Sequence, residues 1–461
     1  MNMKKIAYGL LILSLLSCNY VTQLIVPPTV TPAPTFTPTA TLTPTPLVPA
    51  FIPAECTSSA PFATIPPDLA LAPPTLTFEP NPEISTATQL KVFKELTDVV
   101  DDVYVYPDFN GKDWDEIKAR YRSKIEAGLD TESFYLEVQA MITELGDEHS
   151  FYLAPLEVEA SEAELRGENN YVGVGIYSLP DLERQTLTVI STFPDSPAER
   201  AGIKSHDKII RVDGVPLQFE ADATRQIRGP KCSALVLTVQ TPGEAPRNLM
   251  LIRTSIQGNL NIEKRLVPTT DGSKIGYIFI PTFFDETIPP QIEDALEEFG
   301  QLDGLILDVR LNGGGSSSVV DPIFELFVDG RLGQFVSRTS SRSLDVDADP
   351  IHNSQTVPLI VIVSEDTVSY GEIFAGSLKD IGRAKVVGQT SLGNVEVLHG
   401  FNFDDDSQIW IAAETFYSAT SETNFELSGI IPDVEAFAEW DTITFETDPA
   451  ITAAVELLGH K

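Results

Sequence analysis

Four short stretches of the chain carry residue types that could do chemistry. Ser369 lies in Thr367-Val368-Ser369-Tyr370-Gly371-Glu372, between an apolar run and an amphipathic one. A serine at a strand-to-helix turn can present its Oγ to a pocket with backbone N–H groups behind it. The same position suits the N-cap of a helix from Tyr370 to Ile381, and on spacing alone the cap is the stronger reading. Asn312-Gly313-Gly314-Gly315 offers bare backbone, which either holds an anion or oxyanion on its N–H groups or makes a plain turn. His149, in Gly146-Asp147-Glu148-His149-Ser150, is either a solvated side chain or a general base, since imidazole titrates near neutrality. Glu426, in Asn424-Phe425-Glu426-Leu427-Ser428-Gly429, is one of 67 acidic residues, so surface solvation is its default role.

These residues must be positioned by the elements around them. From about Thr86 to Leu145 apolar residues recur at three- and four-residue steps, which predicts helices. Pro107 closes the first of them, WDEIKARYRSKIEA forms a second, and Thr131 is the expected N-cap of a third. The period then changes to two. Tyr171–Ile176, Thr186–Ser191, Lys208–Val212 and Ala234–Gln240 read as strands of a β-rich module of about 90 residues. From Ile275 onward apolar strand runs alternate with amphipathic helices, as in an α/β sheet buried on both faces. Chemistry in such sheets collects beyond the carboxyl ends of the strands. Three segments stand there: Arg310–Gly315, Ser364–Glu372 and Gly388–Asn394.

The 461 residues leave room for two to four domains. With 67 acidic residues against 31 basic ones the net charge is −36, which repels phosphate backbones and argues against nucleic acid as a partner. No cysteine pair has metal-knuckle spacing, and no metal or organic cofactor is expected. Met1–Ser17 has an early Lys4-Lys5 pair and an apolar run too short to span a bilayer comfortably. It ends in Leu15-Leu16-Ser17-Cys18, which resembles the bacterial lipoprotein signal. That resemblance implies a lipidated Cys18 and an extracytoplasmic, membrane-anchored protein. A Pro/Thr-rich tether follows, residues 18–85 in all, whose proline-dense part extends by roughly 3 Å per residue. Cys56 and Cys232 either pair or remain buried thiols; nothing in the sequence brings them together.

The order of helical region (86–155), β module (165–255) and α/β region (256–461) resembles the C-terminal processing peptidase family, the tail-specific serine proteases. The resemblance runs from about residue 86 to 455. Tyr171-Val172-Gly173-Val174-Gly175-Ile176 resembles the carboxylate-binding loop of a PDZ domain, which makes Gly173, Val174, Gly175 and Ile176 the expected peptide-binding residues. Asp195-Ser196-Pro197-Ala198, Asp207–Gly214 and Arg228-Gly229-Pro230 are similar to the rest of that module. Asp308–Gly315 resembles the family's strand and glycine turn, Ser369 matches its nucleophile, and Gly429-Ile430-Ile431-Pro432-Asp433-Val434 matches its closing motif. The resemblance implies a multidomain α/β protein: an N-terminal helical domain, a PDZ domain and a ClpP/crotonase-like α/β peptidase domain. Its substrates would be proteins or peptides taken by their C-termini. The N–H groups of Gly315 and Tyr370 would hold the oxyanion.

The chain departs from that family at one decisive point. Bacterial members pair the serine with a lysine 25 residues on, where this chain has Asn394. An amide cannot accept the serine proton, so either the chain is an inactive, PDZ-containing peptide-binding lipoprotein or the base comes from elsewhere. The tricorn-like branch uses histidine and glutamate, at segments corresponding to His149 and Glu426. The resemblance therefore implies a Ser369–His149–Glu426 triad, with Asn394 beside the serine as a hydrogen-bonding neighbour. His399, near the missing lysine in sequence, is a weaker candidate base.

Overall fold

The computed structural model describes residues 47–57, 80–147, 149–165, 172–219, 226–256, 259–426 and 428–460. The signal segment, Cys18 and most of the tether lie outside these residues, as does Tyr171.

Helix α1 (Thr86–Val103) begins at Ser85, whose side chain accepts the Thr88 N–H, and α2 (Trp114–Glu126) begins at Asp113, which accepts from Glu116. The cap of α3 (Thr131–Thr143) is Asp130 rather than the expected Thr131. Asp130 Oδ1 accepts the Ser133 N–H at 2.9 Å, while the buried Thr131 hydroxyl donates to Glu83 and accepts from Ile84. A carboxylate one residue earlier satisfies the helix end, and the threonine becomes its first buried residue. Val92, Leu96, Ile117, Ile125, Phe134 and Val138 share one core, but the three helices do not close it alone. Tyr152 of β1 (Phe151–Leu153) and Phe403, Ile409 and Ile411 from far along the chain complete it.

After α4 (Pro155–Leu165) comes the β module: β2 (Val172–Gly173), β3 (Ile176–Asp181), β4 (Thr186–Thr192), α5 (Pro197–Arg200), β5 (Lys208–Val212), β6 (Val215–Pro216), β7 (Ala234–Gln240), β8 (Arg247–Ile252) and β9 (Thr254–Ser255). The sheet order is β3-β4-β5-β7-β8, with β6 on β5 and β2 on β9. The alternation of residues 171–176 suggests one strand, but the chain breaks at Val174-Gly175. Gly175 has φ +77°, and a Cβ there would lie 2.3 Å from Ser196 Cβ, so only glycine lets the α5 turn pack this closely. Cys56 and Cys232 are joined in a disulfide with Cα atoms 5.2 Å apart, and Pro49 bridges to Met250. Residues 47–57, at the end of the Pro/Thr-rich region, are thus fastened along the β module.

The α/β region begins with β10 (Glu263–Val267) and β11 (Ile275–Phe279), followed by α6 (Ile288–Phe299), β12 (Gly304–Asp308), α7 (Ser317–Phe327), β13 (Gly330–Val336), β14 (Ser341–Val346), β15 (Leu359–Val363), α8 (Tyr370–Asp380) and β16 (Ala384–Gly388). Beyond these lie β17 (Val397–Asn402), β18 (Gln408–Ser418), β19 (Val434–Glu435) and α9 (Pro449–Leu457). The central sheet has the order β10-β11-β12-β15-β16-β19 and is parallel except for β10. Its apolar runs are buried on both faces, as their lack of polar alternation predicts. Ile278, Leu305, Leu307, Leu359 and Val361 face α6–α8, while Tyr277, Phe279, Ile306, Ile360 and Ile362 face α9 and Trp440. A second, antiparallel sheet of order β1-β18-β13-β14, with β17 on β18, was not legible in the sequence pattern. It carries the segment after His149 and ties the helical region to the α/β core through β1.

Candidate active site

The three segments at the carboxyl ends of β12, β15 and β16 meet. Ser369 is the N-cap residue of α8, as the sequence allows, with φ 55° and ψ −124°. This backbone is costly for a residue with a Cβ, and such strain persists only where neighbours over-determine it. They do so here. The Ser369 N–H donates to the Asn394 carbonyl at 2.9 Å and to Glu372 Oε2 at 3.3 Å, and the preceding Val368 N–H donates to the Asn312 carbonyl at 3.0 Å. Position and strain together fix Ser369 at the strand-to-helix turn, where it forms a capping box with Glu372.

Glu372, completely buried, binds the first turn of α8 to the loop after β16. It accepts from Ser391 Oγ at 2.6 Å and from the N–H groups of Gly393 and Asn394 at 2.7 and 2.9 Å. Burial nevertheless wins over these bonds and pushes its carboxyl above the usual range.

The glycine turn lies against the serine. A Cβ on Gly314, whose φ is +97°, would sit 2.7 Å from Ser369 Cβ, and one on Gly315 would sit 2.0 Å from the Phe283 carbonyl carbon. Bare backbone is therefore a steric requirement. The Gly314 N–H is already given to Asn312 Oδ1 at 2.9 Å. Gly315 bridges Phe283 through its neighbours: Phe283 N–H donates to Gly314 O and Ser316 N–H donates to Phe283 O, each at 2.9 Å. A parallel bridge of this pattern turns the Gly315 N–H away from Phe283. The Tyr370 N–H is the first of α8 and adds the positive end of the helix dipole.

His149 sits in a turn built by Asp147. Asp147 Oδ1 accepts the N–H groups of His149 and Ser150 at 3.0 and 2.8 Å, and Oδ2 accepts the Ser150 hydroxyl at 2.6 Å. Ser150 Oγ in turn accepts the Ala412 N–H of β18 at 3.0 Å, which sets the turn against the second sheet. The carboxylate facing the imidazole is Glu396, which the sequence reading did not single out. Its Oε2 lies 3.5 Å from His149 Nδ1; both atoms are buried, and neither has a closer hydrogen-bond partner. Glu426 stands behind it. Its Oε2 accepts the Val395 N–H at 2.8 Å, and its carboxyl contacts Glu396. Burial first, and then the hydrogen bond with Glu396, push the Glu426 carboxyl up to about 8. Burial also raises Glu396, but hydrogen bonds with His149, Glu426 and Tyr106 outweigh it and hold Glu396 below the usual range. Joint ionisation of two adjacent buried carboxyls is disfavoured, so the pair holds a proton above the usual carboxylate range.

Asn394 joins the two halves. Its carbonyl holds Ser369 and its N–H is on Glu372, while its side-chain Oδ1 is buried without a hydrogen-bond partner. Two residues on, Glu396 faces His149, a span of at most about 7 Å of chain. His399 lies elsewhere. It is 47% exposed on β17, with Nε2 3.6 Å from Glu414, which also pairs with Arg342. Among the described residues no group of three or more His, Cys, Asp or Glu side chains is arranged to hold a metal ion.

The expected peptide loop of the β module is held from below. Ala198 N–H donates to Val174 O at 2.9 Å, and Phe193 N–H and Ser196 Oγ reach Gly175 O at 3.1 and 3.2 Å. Gly173 pairs with Thr254 in β9, and Ile176 opens β3 at the sheet edge. The module is fastened to the α/β region through residues 439–441. Arg184 pairs with Asp441 at 2.6 Å and with Glu439 at 2.9 Å. The His206 ring stacks on Trp440 with centroids 3.9 Å apart.

Fold and geometry together describe a strand-to-helix serine beside a glycine turn, with a peptide-binding module attached. Residues 274–436 match Peptidase family S41, residues 86–143 match the Tricorn protease C1 domain, and residues 162–240 match the PDZ domain. The chain is 29% identical over 358 residues to the chloroplastic carboxyl-terminal-processing peptidase 2 of Arabidopsis thaliana, covering 74% of this chain and 68% of that protein. It is also 29% identical over 376 residues to the carboxyl-terminal-processing protease of a Picosynechococcus species, covering 78% and 86%. The solved photosystem II D1 C-terminal processing protease superposes with a TM-score of 0.55 at 25% identity, over 76% of this chain and 93% of that one. A putative S41 protease from Bacteroides fragilis shares the fold, with a TM-score of 0.56 at 14% identity over 83% and 99%. The chain thus carries matches to Peptidase family S41 and to the PDZ domain and is similar over most of its length to carboxyl-terminal-processing proteases, which are serine-type hydrolases.

Proposed function

We propose that the protein is a lipid-anchored, extracytoplasmic serine endopeptidase that cleaves protein or peptide tails through Ser369 and His149. One observation carries this reading. The segment from Asn394 to Glu396 holds the serine N–H at one end and faces His149 at the other. The loop that carries a lysine in relatives thus carries, two residues later, a carboxylate for a histidine.

In the proposed reaction Ser369 Oγ attacks the substrate carbonyl carbon while His149 takes the hydroxyl proton. The N–H groups of Gly315 and Tyr370 stabilise the oxyanion; losing one such donor typically costs about 10²–10³ in rate. The imidazolium returns its proton to the leaving amine, and water then opens the acyl-enzyme by the same route. A buried carboxylate behind His149 stabilises the imidazolium. The PDZ module takes the substrate C-terminus on the loop Gly173–Ile176. The Cys56–Cys232 disulfide supports an oxidising, extracytoplasmic setting, and Cys18 is the proposed anchor.

The test is labelling of the purified mature protein with a fluorophosphonate, alongside Ser369→Ala and His149→Ala. Loss of labelling in both folded variants is the expected result. Labelling that survives His149→Ala at the wild-type rate removes His149 as the base. A folded wild-type protein that binds peptides but never labels or cleaves supports the inactive peptide-binding lipoprotein instead.

A further inference from the structure

We propose that Glu396, not Glu426, is the positioning residue of His149. The inference rests on the Ser369–His149 reading and separates the two carboxyls within it.

Geometry separates them. Glu396 Oε2 and His149 Nδ1 are two buried polar atoms that face each other at 3.5 Å with no other hydrogen-bond partner, an arrangement that costs free energy unless the pair closes. Closing by a few tenths of an ångström makes a charge-assisted bond, as catalytic hydrogen bonds commonly do only on substrate binding. With Nδ1–H given to Glu396, Nε2 is the lone-pair nitrogen available to the serine. The other oxygen, Oε1, is held by the Tyr106 hydroxyl at 2.7 Å, so the carboxylate cannot swing away. Glu426 is tied differently. Its Oε2 is committed to the Val395 N–H, and its contact with Glu396 is that of an acid with a carboxylate.

The titratable groups around the pair are Tyr104 and Tyr106 after α1, Asp147 and His149 after α3, and Glu372 on α8. Of these only His149 can become cationic. The cluster therefore carries more acid than its one base can balance, and a proton held by the pair of Glu396 and Glu426 relieves the excess. Without that proton Glu396 would face a second anion rather than a donor.

The test compares Glu396→Gln and Glu426→Gln in the full mature chain, with His149→Ala as control. Fluorophosphonate labelling and peptide turnover are measured from pH 5.5 to 9.5, and the His149 imidazole is titrated by NMR. An amide at 426 can still donate to Glu396, whereas an amide at 396 cannot stabilise an imidazolium. The expected result is a fall of about 10²–10⁴ in kcat for Glu396→Gln with KM little changed. The His149 pKa should drop in that variant. Glu426→Gln, whose carboxyl is not the one facing His149, should cost less in kcat than Glu396→Gln does. Loss in Glu426→Gln with tolerance of Glu396→Gln overturns the assignment, as does equal loss in both or no effect of either. An unshifted His149 titration in Glu396→Gln overturns it independently of activity. Full labelling in His149→Ala instead marks failure of the base reading itself, a distinguishable result.

Discussion

Two buried charge clusters lie at opposite faces of the central sheet, and they are built on opposite rules. The first is closely ion-paired. Arg310, 7% exposed at its side chain, sits between Asp308 and Asp448 with 2.6 Å contacts to each, and its guanidinium lies over the Trp440 ring at 5.2 Å. The Tyr277 hydroxyl donates to Asp308 at 2.8 Å. Burial disfavours the cation, but the two aspartates outweigh it and hold Arg310 above its usual range. The second cluster is unbalanced: Glu396 faces a single histidine, and the carboxyls of Glu426 and Glu372 add further acid to the same cluster. Buried charge that is directly paired fixes geometry, here joining β12, α9 and the segment that carries the PDZ module. Mismatched buried charge keeps a proton near neutral pH, which is what acid–base chemistry needs.

Breaking each cluster should separate these roles. The largest effect is expected from Ser369→Ala, which should abolish turnover, a loss of roughly 10⁴–10⁶, while leaving the thermal midpoint within a few degrees. Arg310→Met should do the reverse. Leaving Asp308 and Asp448 buried without their cation is expected to cost about 3–5 kcal/mol in urea unfolding, with activity lost only as the fold is lost. A midpoint unchanged by that substitution would refute the structural role of the Arg310 cluster.

The unbalanced cluster should show itself in the pH dependence of stability. The folded-state pKa of Glu426 is raised to about 8, so the fold prefers its protonated form. That contribution is fully present below the ordinary glutamate pKa and is lost as pH rises through about 8. The wild type should therefore have a lower urea midpoint at pH 9 than at pH 6, and Glu426→Gln should flatten much of that slope. An unchanged slope in the variant would mean that Glu426 is already ionised in the fold. The smallest effect is expected at His399. It is exposed and paired with Glu414 away from the serine loop, so His399→Ala should change the labelling rate by less than about twofold.

Much of this arrangement is visible in the chain itself. The runs GYIFI, GLILD and LIVIV lack polar alternation because both of their faces are buried, and the segments after the second and third carry the glycine turn and Ser369. The antiparallel sheet is different. β18 spans Gln408–Ser418 and pairs with strands from three separate stretches, so its partners are set by contacts far apart in sequence. Glu396 was missed for a related reason. It stands between Val395 and Val397, and a glutamate inside an apolar run signals either an exposed edge or a buried partner. Only the fold shows that the partner is His149.

The sequence by itself determined the N-terminal helices, the strands of the central sheet and most of the β module, because these depend on local periodicity and side-chain chemistry. Tertiary structure alone decided which carboxylate meets the histidine and that Cys56 meets Cys232. Those outcomes depend on burial and on distances between segments hundreds of residues apart, and no local pattern encodes them.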